Sequence, residues 1–199
     1  MLTIPSGSII IVPDVAFVIR DFVTSGGSPF YTETLPRLKE TGTKTRSMAR
    51  FGVPYTYKGH PLPAFEFGPV LLALKALIEN ALGTSFNAAV VNRYRDGTQG
   101  VAPHSDTQAI PQLGKQPIIA GLSFGATRDF VMQGRKKVDQ PIITQVNHGD
   151  LLVMHGISQS HYKHGVPTDL TRELMPRWSV TFRQHITVTP APEEDKVNS

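Results

Sequence analysis

His104 and Asp106 stand two apart in the run HSDTQ, residues 104–108. Alternate side chains of an extended strand point the same way, so both can reach one ion from a single strand or strand end. An imidazole nitrogen and a carboxylate oxygen suit Fe(II), Mn(II) or zinc. The pair alone does not make a site, because His-x-Asp arises often by chance and an ion needs at least a third donor. The stretch HGDLLVMHGISQSHYKHGVP offers four: His148, His155, His161 and His164. Spacing does not choose among them. One of them would complete a two-histidine, one-carboxylate face with positions left open for a cosubstrate and dioxygen.

A second pattern concerns anions. Arg177 and Arg183 lie six apart in PRWSVTFR, so on one strand they share a face with Ser179 and Thr181. Trp178, Val180 and Phe182 form the opposite, apolar face. Two arginines on the inner side of a β core are costly unless an anion meets them. A dicarboxylate would satisfy both through forked, charge-assisted hydrogen bonds. The same spacing would also serve an outward, solvated stripe, and only the fold decides which face is inside.

The elements that must position these groups are partly legible. PVLLALKALIENALG (69–83) has apolar residues at helical spacing between Pro69 and Gly83, and predicts a helix. GSIIIVPDVAFVI is too short and too interrupted to span a membrane. It reads as a strand followed by a second helix that runs through DVAFVIRDFVTSG to Gly26 and Gly27. From residue 86 the pattern changes. FNAAVVNRY is β-rich and closes on RDG, a hairpin turn signal. PIIAGLSFG, RDFVMQ, PIITQVN, DLLVMHG and RWSVTFRQHI follow as short strands, which predicts a β-sandwich or closed barrel. The tail TPAPEEDKVNS reads as frayed.

Composition narrows the setting. A chain of 199 residues fits one domain with a proper core. It has no cysteine, which excludes disulfides and zinc–thiolate sites, and no secretory signal, so a cytoplasmic protein is expected. The net charge of +4 and a pI of about 9.4 favour polyanionic partners. The basic excess concentrates in RLKETGTKTRSMAR (37–50), where Glu40 is the single acid.

NRYRDG, HSD, GLSFGATRDFVMQ, HGDLLVMHG, YKHGVP and PRWSVTFR, in this order over roughly residues 86–186, resemble the AlkB family of iron- and 2-oxoglutarate-dependent dioxygenases. A weaker similarity through RFGVPYTYKGHPLP (50–63) reaches the substrate-lid region of the DNA-repair branch. The resemblance implies one domain over 1–199, mainly β, with a double-stranded β-helix (jelly-roll) core. Residues 1–85 would form an α/β N-terminal extension and lid, 86–186 the catalytic core, and 187–199 a flexible tail. It implies His104, Asp106 and His164 as iron ligands, His164 being the histidine of the matching YKHG. Asn92, Tyr94, Arg177, Ser179 and Arg183 would hold 2-oxoglutarate. Arg177 and Tyr94 would take its distal carboxylate, and Arg183 and Asn92 the carboxylate that chelates iron. Ser179 stands where relatives often carry asparagine. His148 reads as structural, and His155 and His161 match no role.

The implied reaction consumes dioxygen and converts 2-oxoglutarate to succinate and CO2 while an N-methyl group on a damaged base is hydroxylated and leaves as formaldehyde. A stacked, paired base cannot reach such a pocket, so the target is flipped out or single-stranded DNA or RNA. Arg46, Met48, Arg50, Tyr55 and Tyr57 are the expected nucleotide contacts, with Arg93 and Lys136 as further phosphate contacts. A monomer working on nucleic acid, away from membranes, in the cytoplasm or in a eukaryotic nucleus, is the matching expectation. Gln108 departs from the pattern, because repair relatives usually carry an acidic residue there. An amide offers a donor and an acceptor but no charge, which shifts the expected preference toward neutral or etheno lesions. Alternatively, the same chemistry serves a small molecule or a protein side chain.

Overall fold

The computed structural model describes residues 2–24, 27–40, 45–57, 60–106, 111–136, 140–171 and 173–186, with 40, 55–57, 60, 61 and 111 described by backbone alone. Gln108 and the tail at 187–199 lie outside the described residues. In chain order the strands are β1 (Ile9–Val12), β2 (Ala16–Ile19), β3 (Lys39–Glu40), β4 (Ser47–Gly52), β5 (Tyr55–Tyr57), β6 (His60–Leu62), β7 (Ala88–Tyr94), β8 (Val101–His104), β9 (Ile119–Gly125), β10 (Arg128–Gly134), β11 (Ile142–Val146), β12 (Leu151–Met154), β13 (Tyr162–Val166) and β14 (Arg177–Arg183). The helices are α1 (Ser28–Thr34), α2 (Pro69–Leu82) and the single turn α3 (Ser158–His161).

Eight strands form one antiparallel sheet in the order β1-β2-β12-β9-β14-β7-β4-β3, and four form a second in the order β11-β10-β13-β8. From β7 onward the chain alternates between them: β8 in the small sheet, β9 in the large, β10 and β11 in the small, then β12, β13 and β14 in turn. This alternation is the double-stranded β-helix expected above. β5 and β6 make a separate hairpin.

Each large-sheet strand is buried on two faces of different character. Ala49, Phe51, Val91, Leu122, Val153, Val180 and Phe182 pack with Phe30 of α1 and Leu71, Ile78 and Leu82 of α2. The other face meets the small sheet, where Tyr94, Ile119, Leu152 and Met154 pack against Phe130, Met132, Val146 and Val166. The core therefore has three layers: helices, large sheet, small sheet. α2 runs as the periodicity predicts, with Pro69 in its first turn and Gly83 ending it at φ 61, a left-handed conformation that glycine adopts without steric cost. Its first amides lack an intrahelical partner. Glu33 of α1 fills the gap, accepting from Val70 N at 2.8 Å and Leu71 N at 2.9 Å.

Three expectations are corrected. The second helix does not exist: Ala16–Ile19 is β2, paired with β1 and β12. VAFVI is a continuous apolar run because Phe17 faces the helical layer while Val15 and Ala16 face the small sheet. Such a doubly buried strand cannot be told from a buried helix by periodicity. The RDG turn after β7 is not a hairpin either. Asp96 closes a local loop by accepting from Thr98 N at 2.8 Å, but the chain then crosses into the small sheet as β8. Finally, the N-terminal third does more than pack on the core, since β1 to β4 are half of the large sheet. No helix among the described residues is long and apolar enough to cross a membrane.

Candidate active site

β8 is the edge strand of the small sheet, where Pro103 is tolerated because its missing N–H removes no ladder bond from an outer edge. His104 ends this strand directly opposite His164 of β13. The register shifts between His164 and Val166, an irregularity of the kind that re-aims side chains near functional sites. Gly165 makes the approach possible: a Cβ there would lie 2.7 Å from Val101 O. The imidazole centroids are 4.6 Å apart.

Asp106 follows the strand end and is held by a buried glutamine 53 residues away. Gln159 Oε1 accepts from Asp106 N at 2.9 Å, and Gln159 O accepts from Ser105 Oγ at 2.6 Å. The carboxylate is divided. Oδ2 accepts from Arg183 Nη2 at 2.6 Å and Nε at 3.1 Å. Oδ1 turns to the histidines, 3.3 Å from His104 Nε2 and 4.0 Å from His164 Nε2. The donor atoms of His104, Asp106 and His164 all lie within 4.8 Å of one another, a set that could hold a divalent metal ion.

The electrostatics suit ligation. Burial alone would raise the carboxyl of Asp106, but Arg183, His104 and His164 outweigh it and hold the group well below the usual carboxylate range. Burial, with Phe130 stacked on its ring, pushes His164 down to about 4, so it is a neutral imidazole at pH 7. His104 Nδ1 lies 3.0 Å from Ala102 O. A proton donated there leaves Nε2 with its lone pair toward the cluster.

The arginine pair proves to be an inward one. Arg177 is 5% exposed and Arg183 8%. Arg177 Nη2 donates to Ser123 Oγ at 3.0 Å and its guanidinium sits 5.4 Å from the Tyr94 ring centre. Among the described residues, no hydrogen-bond acceptor meets its buried Nε and Nη1, nor Arg183 Nη1. A cavity of about 730 Å³ joins the two regions, lined by Asn92, Tyr94, Ser123, Arg177, Ser179 and Thr181 as well as the histidine–aspartate cluster and Arg183. That volume suits small ligands. Ser179 lies opposite Asn92 in the ladder between β14 and β7.

The other sequence candidates divide. Arg46, Met48 and Arg50 line the same cavity from β4 and the residue before it. Arg46 reaches deep, with Nε donating to Asn92 Oδ1 at 2.6 Å. Tyr55 and Tyr57 lie on β5, and their side chains, like Gln108, fall outside the described residues. Arg93 lies on the opposite face of β7, its guanidinium 5.5 Å from the Trp178 ring, so it does not point into the cavity. Lys136 is exposed just beyond β10. His148 accepts from Gly125 N at 3.1 Å. His155 packs edge-on against Phe17, and exposed His161 pairs with Ser160. Among the described residues, only His164 of the four histidines joins His104 and Asp106. Gln159, Ser123 and Arg128 were not anticipated. Each acts through a contact that spans tens of residues and leaves no local pattern.

The model of the 2OG-Fe(II) oxygenase superfamily matches residues 24–183. The human alpha-ketoglutarate-dependent dioxygenase alkB homolog 3 is 39% identical over 175 residues, covering 82% of this chain and 59% of that protein. The human DNA oxidative demethylase ALKBH2 is 31% identical over 168 residues, 78% of this chain and 63% of that protein. The chain thus spans about three fifths of the length of these relatives. Among solved structures, OsALKBH1 superposes with a TM-score of 0.66 at 16% identity, over 87% of this chain and 99% of that one, a likeness of fold. With the family model covering most of its length and AlkB homologues as its relatives, this chain belongs to the 2OG-Fe(II) oxygenase superfamily and, within it, to the AlkB family.

Proposed function

We propose that the protein is an Fe(II)/2-oxoglutarate-dependent dioxygenase that oxidatively demethylates N-alkylated bases in DNA or RNA, releasing formaldehyde, succinate and CO2. The observation that carries this reading is Arg177: a buried guanidinium with two unsatisfied donors, in one cavity with a two-histidine, one-carboxylate cluster. Each donor left unmet costs about 1–3 kcal/mol, and a dicarboxylate anchored there would offset that cost. The donor set fits iron, being one carboxylate and two imidazoles, of which His164 is held neutral by burial. His104, Asp106 and His164 would hold it, and iron with 2-oxoglutarate would supply the oxidising power drawn from dioxygen.

The chain's own residues do the rest. Arg177, Ser123 and Tyr94 form the receptor for the distal carboxylate of the cosubstrate. Asn92, Ser179 and Arg183 Nη1 face the carboxylate nearer the metal. Arg183 has a second duty, because its fork fixes Asp106 Oδ2 and leaves Oδ1 free to ligate. Gln159 holds the backbone of the same residue from behind. The apolar wall of Ile119, Leu152, Met154 and Phe130 keeps bulk water from the Arg177 region.

Nucleic acid as substrate is supported by the similarity to ALKBH2, a DNA oxidative demethylase, by the chain's net charge of +4, and by Arg46 and Arg50 at the cavity. One feature of the wall favours neutral bases over cationic ones such as 1-methyladenine. Asp106 is the single carboxylate among the described lining residues and is paired with Arg183, and the sequence has the uncharged Gln108 where repair relatives usually carry an acid. With iron, ascorbate and 2-oxoglutarate, the purified protein is expected to release formaldehyde from methylated oligonucleotides. Inactivity on single- and double-stranded DNA and RNA alike would exclude nucleic acid and leave the same chemistry on another substrate. Gln108→Asp is expected to raise turnover of 1-methyladenine relative to etheno-adenine, and an unchanged ratio would mean that this position does not read the base.

A further inference from the structure

Every second residue at the start of β4 faces the cavity. Arg46, Met48 and Arg50 line it, while Ala49 and Phe51 pack into the apolar layer under α1 and α2. Met48 is the ladder partner of Asn92 on β7, and Ser179 of β14 lies on the other side of the same asparagine. Arg46, just before the strand, turns inward. Its Nε donates to Asn92 Oδ1 at 2.6 Å, across 46 residues of chain. The guanidinium also makes itself felt at the metal cluster: burial is the largest cause that holds His164 low, and Arg46 is among the cations that add to it.

The bond to Asn92 decides how that asparagine can serve a ligand. A guanidinium carries donors and no acceptor, so the amide atom that meets it has to be the oxygen. Nδ2 is then turned away from Arg46 as a donor, on a residue that lines the cavity between Met48 and Ser179. The last torsion of an asparagine side chain is broad and roughly two-fold. Without a partner that accepts nothing, half a turn would exchange the donor and acceptor ends of the amide. A carboxylate is acceptor-only, so it binds at Nδ2 and is repelled by Oδ1.

We propose that Arg46 is a positioning residue for the cosubstrate: it fixes the amide of Asn92 so that Nδ2 is held as a donor to the 2-oxoglutarate carboxylate nearer the metal. The proposal rests on the reading of this cavity as a 2-oxoglutarate site. It gives Arg46 an inward duty that is separate from any contact with a nucleotide. Its loss therefore weakens cosubstrate binding when no nucleic acid is present.

The test is a double-mutant cycle, with 2-oxoglutarate titrated calorimetrically into the Mn(II)-loaded protein in the absence of nucleic acid. Arg46→Met and Asn92→Ala should each weaken binding about fivefold. The double variant should bind little more weakly than Asn92→Ala alone, because the arginine acts through the asparagine. Fully additive losses would mean that Arg46 acts by its charge alone, and would overturn the proposal. So would unchanged affinity in Arg46→Met or in Asn92→Ala. Arg46→Leu and Asn92→Ser replace either variant that fails to fold by circular dichroism. Asn92→Asp gives a reading outside the cycle. It keeps an acceptor for Arg46 but presents a second oxygen to the ligand, so it should bind 2-oxoglutarate more weakly than Asn92→Ala; equal or tighter binding would remove the donor role of Nδ2. Wild-type protein that does not bind 2-oxoglutarate would instead overturn the cosubstrate reading itself, and this inference with it.

Discussion

Along β14 the same seven residues meet two opposite environments. Trp178, Val180 and Phe182 enter the apolar layer under α1 and α2, where Phe30 stacks on Phe124 at 4.7 Å and the cost of each residue is repaid locally by packing. Arg177, Ser179, Thr181 and Arg183 enter the cavity between the sheets, where polar groups sit beside an apolar wall and, among the described residues, two guanidiniums keep unmet donors. One face is finished by folding. The other is left incomplete, in the sense that its buried charges are fully satisfied only by something the chain does not contain. Within that face a second contrast holds: Arg183 is tied to the carboxylate of Asp106, whereas the described partners of Arg177 are Ser123 and Tyr94, neither of them a carboxylate. The difference locates the anion the protein has to acquire.

The contrast breaks most completely at the metal cluster. His104→Ala and His164→Ala should each abolish substrate-dependent succinate release, with the fold retained by circular dichroism; turnover surviving in His164→Ala would remove that histidine from the site. On the finished face, Phe182→Ala should cost about 3–5 kcal/mol in chemical denaturation, and 2-oxoglutarate affinity should be unchanged wherever the variant is folded. Arg177→Met should do the reverse. Cosubstrate affinity should drop about a hundredfold, while Tm stays level or rises, since a buried uncompensated charge is gone. A clear loss of Tm in that variant would mean that the cavity face, too, is completed by folding.

A pH series sharpens the same point in the metal-free protein. Burial holds both His164 and His185 at about 4 in the native state, against 6.5 in an unfolded chain. The unfolded chain therefore binds more protons between these values, so stability is full above about pH 6.5 and falls as pH drops toward 4. Urea midpoints measured from pH 7 to pH 5 should decline. A flat apo profile would count against the buried, neutral imidazoles. The smallest effect belongs to His161→Ala: the residue is exposed and pairs with Ser160, so activity should stay within about twofold of wild type.

Much of this was legible before any coordinates. The Arg-x5-Arg spacing put both arginines on one face because a strand has period two, and the helix over 69–82 announced itself through Pro69, Gly83 and apolar spacing. His-x-Asp gave two donors on the same principle. The sequence misled where two buried faces erase periodicity, as in VAFVI, and where a good turn signal, RDG, serves a crossover between sheets. It was silent on Gln159 and Arg128, whose partners are 53 and up to 39 residues away.

What the sequence by itself determined is the set of side chains: two neutral-capable imidazoles and a carboxylate, two in-register arginines, a basic N-terminal run and a glutamine where relatives place an acid. Those follow from local chemistry and strand geometry. The YKHG match pointed to His164, but only the tertiary structure decided that it lies directly opposite His104, that Arg183 divides the carboxylate of Asp106, that Arg46 reaches Asn92, and that Arg93 turns away to Trp178. The physical reason is that each of these depends on which strands become neighbours. Strand order in a sheet that the chain enters, leaves and re-enters is fixed by burial of both faces across the whole domain, not by any short stretch of it.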